Sequence, residues 1–338
     1  MIKSFFGTKQ WALWAWGGFA LLLALVVFQV EMTVQLNTWY KAFYDILQAA
    51  DDADAFWQKM VQFLYIAVPY IFAAIASSYF ARHYAFRWRQ AITFYYLPYW
   101  STHPGNIEGA SQRIQEDTYQ FANALESLGL GFFRSVLTLI AFIPILWALS
   151  EKITIPWLAE IPGSLVWIAM LTSVGAVLIS FVVGIKLPGL EYNNQRVEAT
   201  YRKHLVYSED DKTYADLPTM AELFLGLRPN YFRLFNHYTY FSLWSNVYGQ
   251  LMIVLPYLMM APSLFGGVIT LGVVTQTGNA FGKVNDGFNF FIDRWTEITK
   301  FLSVIKRLRE FESHLIDRHP EPQSVPAPLY VKNKRARG

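Results

Sequence analysis

Two adjacent stretches decide the fold: IPGSLVWIAMLTSVGAVLISFVVGI at residues 161 to 185 and LEYNNQRVEATYRKHLVYSEDD at residues 190 to 211. The first has 25 residues without a charge. A helix that crosses a bilayer needs about 20 such residues, so this stretch predicts a transmembrane helix. The second stretch is rich in charge, including Glu191, Glu198 and Glu209. An acidic helix directly after a membrane span is unusual and calls for a reason.

The spacing of these acids supplies a first reason. At about 100° per residue, a continuous helix places Glu191, Glu198 and Glu209 within about 20° of one another, along a stripe about 27 Å long. A second acidic stretch leads into the third predicted span, where Glu108 and Glu126 are again eighteen residues apart and Glu116 lies about 80° away. Glu31, at the outer end of the first span, completes the predicted set of proton-coupling residues.

Composition indicates an integral membrane protein. Hydrophobic residues make up 54% of the 338 and charged residues 16%, against about 25% charged in soluble domains. A net charge of +3 does not suggest nucleic-acid binding. Cysteine is absent, which excludes disulfides and thiolate chemistry. The six histidines show no close pairing, so the sequence predicts neither a metal site nor a cofactor.

Six transmembrane helices are predicted. Four charge-free stretches occupy residues 11 to 30, 60 to 81, 135 to 150 and 161 to 185, and a fifth runs from 238 to 282. The fifth is too long for one crossing, and APSLFGG at 261 to 267 predicts a turn that divides it in two. The last of the six contains Gln276, Asn279, Lys283, Asn285 and Asp286. Either this helix faces protein or water rather than lipid, or the span ends near Gly282.

Lysine and arginine set the orientation. The loops at 31 to 59, 151 to 160 and 261 to 267 contain only three of the 28 basic residues, which predicts that both termini are cytoplasmic. The polar segments 82 to 128 and 186 to 237 are then long cytoplasmic extensions of the helices. The predicted organisation is a cytoplasmic N-terminus (1–10), a transport domain (11–312) and a disordered basic cytoplasmic tail (313–338).

Carboxylates near a low-dielectric region can bind and release protons close to neutral pH. These acids could therefore couple proton movement to transport. Ordinary helix-surface pairing is the simpler alternative. Glu198 with Arg202, and Arg113 with Asp117, have the i,i+4 spacing of ion pairs on a solvated helix. The spacing alone leaves both interpretations open.

Several stretches resemble one family of bacterial peptide-uptake proteins. They are NTWYKAFYDILQ (37–48), HYAFRWRQA (83–91), IEGASQRIQEDT (107–118), GIKLPGLEYNNQRVEATYRKHLVYSEDD (184–211), NYFRLFNHY (230–238) and ITLGVVTQ (269–276). In this order they are similar to the SbmA/BacA family.

The resemblance implies an all-α homodimer in the bacterial inner membrane, folded like the membrane half of an ABC exporter. It implies proton-driven import of proline-rich antimicrobial peptides, microcins and bleomycin-like glycopeptides, by a transporter that is not an enzyme. The family's glutamate ladder carries over to six positions, Glu108, Glu116, Glu126, Glu191, Glu198 and Glu209.

Two other functions stay open. One is the membrane subunit of an ABC transporter whose ATPase is a separate chain. No ATP-binding domain is expected in this chain, because Val284 follows Gly282-Lys283 where a phosphate-binding loop requires Ser or Thr, and 26 residues follow position 312. The other is a non-transporting scaffold that influences envelope lipids.

Overall fold

The computed structural model describes residues 1–103, 109–153 and 160–316, and regular structure within these ranges is helical. A π-helical stretch, Leu13–Gly18, leads into the second helix, and a short 3-10 turn, Lys212–Tyr214, separates the sixth from the seventh. The nine helices of the described ranges are α1 Ile2–Phe6, α2 Phe19–Ala49, α3 Ala53–Thr102, α4 Ala110–Ser150, α5 Ser164–Gly184, α6 Leu187–Asp210, α7 Leu217–Phe265, α8 Leu271–Asp293 and α9 Trp295–Ile316.

Five helical segments of the described chain are long and apolar enough to cross a membrane. They are Leu13–Ala49, Ala53–Thr102, Ala110–Ser150, Ser164–Asp210 and Leu217–Phe265. These overlap the first five predicted spans. The sixth predicted span is not confirmed, because α8 forms a helix but its amide and charged residues keep it outside this group.

Helix α8 buries part of its polar surface in protein. Gln276, Thr277 and Asn285 are all at least nine-tenths buried. The Asn285 Oδ1 atom accepts hydrogen bonds from Ser173 on α5 at 3.0 Å and from Tyr248 on α7 at 2.7 Å. This face meets protein, as the sequence predicts, and the helix continues past Gly282 to Asp293.

The long polar segments are helical extensions where the structure describes them. Helix α3 continues from its apolar half to Thr102, and α7 begins at Leu217, ahead of its own apolar half. The predicted turn at 261 to 267 is present but begins late. Helix α7 runs through Pro262 to Phe265, and the chain then turns at Gly267, whose φ of 71° favours glycine.

The chain divides into two compact units. The first contains Met1–Trp39, Ala53–Ala141 and the chain from Arg294, and the second contains Tyr40–Asp52 and Phe142–Asp293. An aromatic cluster forms the core of the first unit, where Phe5 stacks on Trp88 at 5.1 Å and Tyr96 meets the edge of Phe311. Helices α5 to α8 make up most of the second unit.

The Asp216 side chain caps the start of α7. Its Oδ2 accepts hydrogen bonds from the Thr219 hydroxyl at 2.6 Å and the Thr219 backbone N–H at 3.1 Å, and these bonds lower the pKa of the Asp216 carboxyl. A lowered folded-state pKa means that this stabilisation is present above the unfolded pKa, near 3.9, and is lost as pH falls through the folded value.

We therefore expect Asp216→Asn to weaken the acid dependence of stability below about pH 4 while retaining a capping acceptor. Asp216→Ala should lose the cap at every pH. Thermal unfolding of the purified protein between acid and neutral pH measures both effects. Identical acid dependence in Asp216→Asn and the unmodified chain would contradict this prediction.

Candidate proton-coupling site

The acidic stripe of α6 lies on one uninterrupted helix. Because Leu187–Asp210 has regular α-helical geometry, Glu191, Glu198 and Glu209 keep the shared face that their spacing predicts. Glu191 and Glu198 are half-buried, and Glu209 is exposed. The stripe therefore passes from the protein surface into the contact between α6 and α7.

The Glu198 carboxylate is hydrogen-bonded to a side chain of α7 rather than to one of its own helix. The Tyr231 hydroxyl donates a hydrogen bond of 2.6 Å to Glu198 Oε1. Among the described residues no ion pair joins Glu198 to Arg202, although their i,i+4 spacing allows one. The simple surface-pairing interpretation is wrong for this glutamate.

A second tyrosine repeats the arrangement. The Glu191 carboxylate interacts electrostatically with the phenol of Tyr238 and with the phenol of Tyr231. Seven residues separate the two glutamates and seven separate the two tyrosines, counted in opposite directions along two helices that pack together. The α6–α7 hairpin therefore aligns two carboxylates with two phenols.

The acids of α4 belong to the other compact unit. Glu116 accepts a hydrogen bond of 2.6 Å from Gln120. Glu126 pairs with Arg82 at 3.4 Å and lines an apolar cleft formed with residues of α2 and α3, including Leu22 and Tyr84. Each carboxylate thus has a polar neighbour, and Glu126 also borders an apolar surface.

The helical register of α4 differs from the sequence expectation. Two π-helical turns, Arg113–Asp117 and Leu125–Gly129, contain Glu116 and Glu126. Each wider turn shifts the face on which later side chains lie, so angles counted at 100° per residue do not apply. The helix starts after Gly109, which has a φ of 72°, and Glu108 lies outside the described residues. The shared face of Glu108 and Glu126 assumes a regular α-helix, and it stays a prediction because Glu108 is not described.

Glu31 lies exposed on α2, where it accepts a hydrogen bond of 3.2 Å from Gln35. Glu31, Glu116 and Glu126 belong to the first unit, and the three α6 glutamates belong to the second. The structure thus places the three α6 glutamates on one helix face. That all of these acids share one passage stays a prediction.

Sequence reasoning identified one local ion pair and missed its main partner. Arg113 pairs with Asp117 at 2.8 Å, as the i,i+4 spacing predicts. Asp117 is also held by Arg307 of α9, whose Nη2 lies 2.7 Å from Oδ1 and whose Nε lies 3.0 Å from Oδ2. Tyr231 and Asn194 were missed too, although the seven-residue repeat of Tyr231 and Tyr238 could have indicated the first.

The chain matches the SbmA/BacA-like family over residues 8–316. It belongs to this family. The resemblance that the sequence motifs predict is thereby confirmed, and the apolar helices of the described residues indicate a multi-pass membrane protein.

Curated relatives of this SbmA/BacA-like chain have names that describe ABC transporters. An inner membrane ABC transporter ATP-binding protein of Escherichia coli is 28% identical, with 89% of this chain and 57% of the relative covered. An ABC transporter ATP-binding protein of Haemophilus influenzae is 26% identical, with 77% and 46% covered. The chloroplastic ABC transporter D family member 2 of Arabidopsis thaliana is 24% identical, with 88% and 42% covered. The chain spans about half the length of these relatives.

Proposed function

We propose that this chain imports peptides across the bacterial inner membrane as a homodimer, driven by protons that move along a ladder of glutamates. The proposed ladder consists of Glu108, Glu116, Glu126, Glu191, Glu198 and Glu209, with Glu31 at the outer end of the first span. The proposed cargo is that of the family it resembles, namely proline-rich antimicrobial peptides, microcins and bleomycin-like glycopeptides.

The observation that carries the proposal is the environment of Glu198. Its half-buried carboxylate is bonded to a neutral phenol on a neighbouring helix instead of an arginine. A carboxylate held by a neutral partner can take up a proton without breaking an ion pair, whereas an arginine-paired carboxylate resists protonation. The two π turns at Glu116 and Glu126 add support, because such turns are frequent at functional sites.

Uptake of a labelled proline-rich peptide into vesicles reconstituted with this protein tests the proposal. We expect uptake to require an inward proton gradient, and we expect Glu198→Gln and Glu209→Gln to lose most of the gradient-dependent uptake. Glutamine keeps the size and the acceptor oxygen of glutamate but cannot ionise. Glu222→Gln, an exposed acid on α7 outside the proposed ladder, is the matched control and should retain uptake. Gradient-independent uptake by the unmodified protein would overturn the proposal.

A second candidate function follows from the names of the relatives. This chain is then the membrane part of an ABC transporter, and ATP hydrolysis by an associated ATPase drives transport. The α3–α4 and α6–α7 extensions are its docking arms for the ATPase. Loss of uptake on ATP depletion with the proton gradient held constant, together with a copurifying ATPase, would favour this function over proton coupling.

A further inference from the structure

The hydroxyl of Tyr231 lies among the polar groups of the α6 stripe. It donates to Glu198 Oε1 at 2.6 Å, shares a hydrogen bond with the Asn194 side chain and is within the electrostatic reach of Glu191. By helical rise alone, Glu191 and Glu198 are about 10 Å apart, too far for direct proton transfer. A phenol that interacts with both carboxylates is placed to hold a water between them.

Asn194 provides an independent observation. Its side chain is 6% exposed, and its Oδ1 atom is buried without a hydrogen-bond partner among the described residues. A buried amide oxygen that has no protein partner is commonly satisfied by a bound water. The unused acceptor lies on the residue that bonds Tyr231, one helical turn before Glu198.

We propose that Tyr231 is a positioning residue of the coupling site, which with Asn194 holds the Glu198 carboxylate against α7 and bridges Glu198 and Glu191 through its hydroxyl and a bound water. This inference rests on the proposed proton-driven function. Tyr231 keeps its own proton throughout. Its O–H donates to ionised Glu198, and its oxygen can accept from protonated Glu198, while the transported proton passes to the water.

The charged and titratable groups around this pair come from both helices. On α6 they are Glu191, seven residues before Glu198, and Arg202, four residues after it. On α7 the Tyr238 phenol lies within electrostatic reach of Glu191, and Arg228, three residues before Tyr231, lies over the Phe232 ring at 5.3 Å. Among these groups, the Tyr231 hydroxyl is the neutral donor that is hydrogen-bonded to Glu198.

Tyr231→Phe tests this role, because it removes only the hydroxyl and retains the ring that packs on Phe235 at 5.5 Å. Without this hydrogen-bond donor, the equilibrium between ionised and protonated Glu198 should shift roughly three- to tenfold toward the protonated form. The pH profile of uptake should therefore move upward by about 0.5 to 1 unit. Gradient-driven uptake of the labelled proline-rich peptide should fall by a similar factor at the original optimum. Uptake by full-length protein in vesicles, measured across external pH, gives both values.

Tyr240→Phe is the matched control, because this exposed tyrosine of α7 lies nine residues from Tyr231, on the opposite face of the helix. It should leave the rate and the pH profile unchanged. A purely structural hydrogen bond would lower the yield or melting temperature of Tyr231→Phe without moving the pH profile, and that result overturns the inference. Gradient-dependent uptake that is unchanged in Tyr231→Phe overturns the inference alone. Gradient-independent uptake by the unmodified protein overturns the proposed function and the inference together.

Discussion

Asp117→Ala is expected to lower the free energy of unfolding by about 2 to 3 kcal/mol, because it removes the shared partner of two arginines from a buried position. Asp117 is 1% exposed, and it joins Arg113 of its own helix to Arg307 of α9. The hydrogen bond to Asp117 raises the pKa of the Arg307 guanidinium, so this cation stays charged. Breaking a buried pair typically costs about 3 to 5 kcal/mol, and a smaller loss is expected here because both arginines are partly exposed and can be rehydrated.

Thermal unfolding of the detergent-purified protein measures this loss. Glu297→Ala is the control, because it removes an ion pair with Arg294 whose two side chains are each 45% exposed, and such a pair contributes about 1 kcal/mol at most. Arg307→Ala should resemble Asp117→Ala, since the remaining Arg113 contacts only one carboxylate oxygen. Equal melting temperatures for Asp117→Ala and Glu297→Ala would contradict the buried role of Asp117.

Much of the helical architecture is predictable because its signals are local. Charge-free stretches locate the five apolar helices, and the glycines at 266 and 267 locate the turn before α8. The proline at 262 is misleading as a helix terminator. Helix α7 continues three residues beyond it, because proline removes only its own N–H donor and its carbonyl still accepts from the Gly266 N–H at 3.0 Å.

The parts that sequence reasoning missed depend on distant partners. Arg113 is four residues from Asp117 and could be paired from spacing, but Arg307 is 190 residues away. Likewise, the Glu198 carboxylate is bonded across 33 residues to Tyr231 on another helix, while the local candidate, Arg202, is not used. The π turns of α4 have no local sequence signal. Within α4 they change the angle between Glu116 and Glu126 from the value that a regular α-helix gives.

Gly272 allows the end of α2 to pack closely against the start of α8. Asp45 Oδ1 accepts a hydrogen bond of 3.2 Å from the Gly272 backbone N–H, and Gln48 Oε1 accepts one of 2.8 Å from the Leu271 N–H. These side chains satisfy backbone donors that a helix leaves unpaired in its first turn. A Cβ atom at position 272 would overlap the backbone carbonyl oxygen of Lys41 and the Asp45 carboxylate.

Gly272→Ala should therefore lower the free energy of unfolding by about 2 to 3 kcal/mol, near the upper end of the usual cost of overpacking. The Asp45 side chain can rotate away, but the Lys41 carbonyl is part of the α2 backbone, so the two helices must separate and both hydrogen bonds to α8 weaken. Gly282→Ala on the same helix is the control. Its added Cβ has no neighbour within 4 Å, and alanine in place of a helical glycine is neutral or stabilising by up to about 1 kcal/mol. The melting temperatures of the two variants in detergent should change in opposite directions, and a Gly272→Ala protein as stable as Gly282→Ala would show that α2 and α8 do not approach this closely.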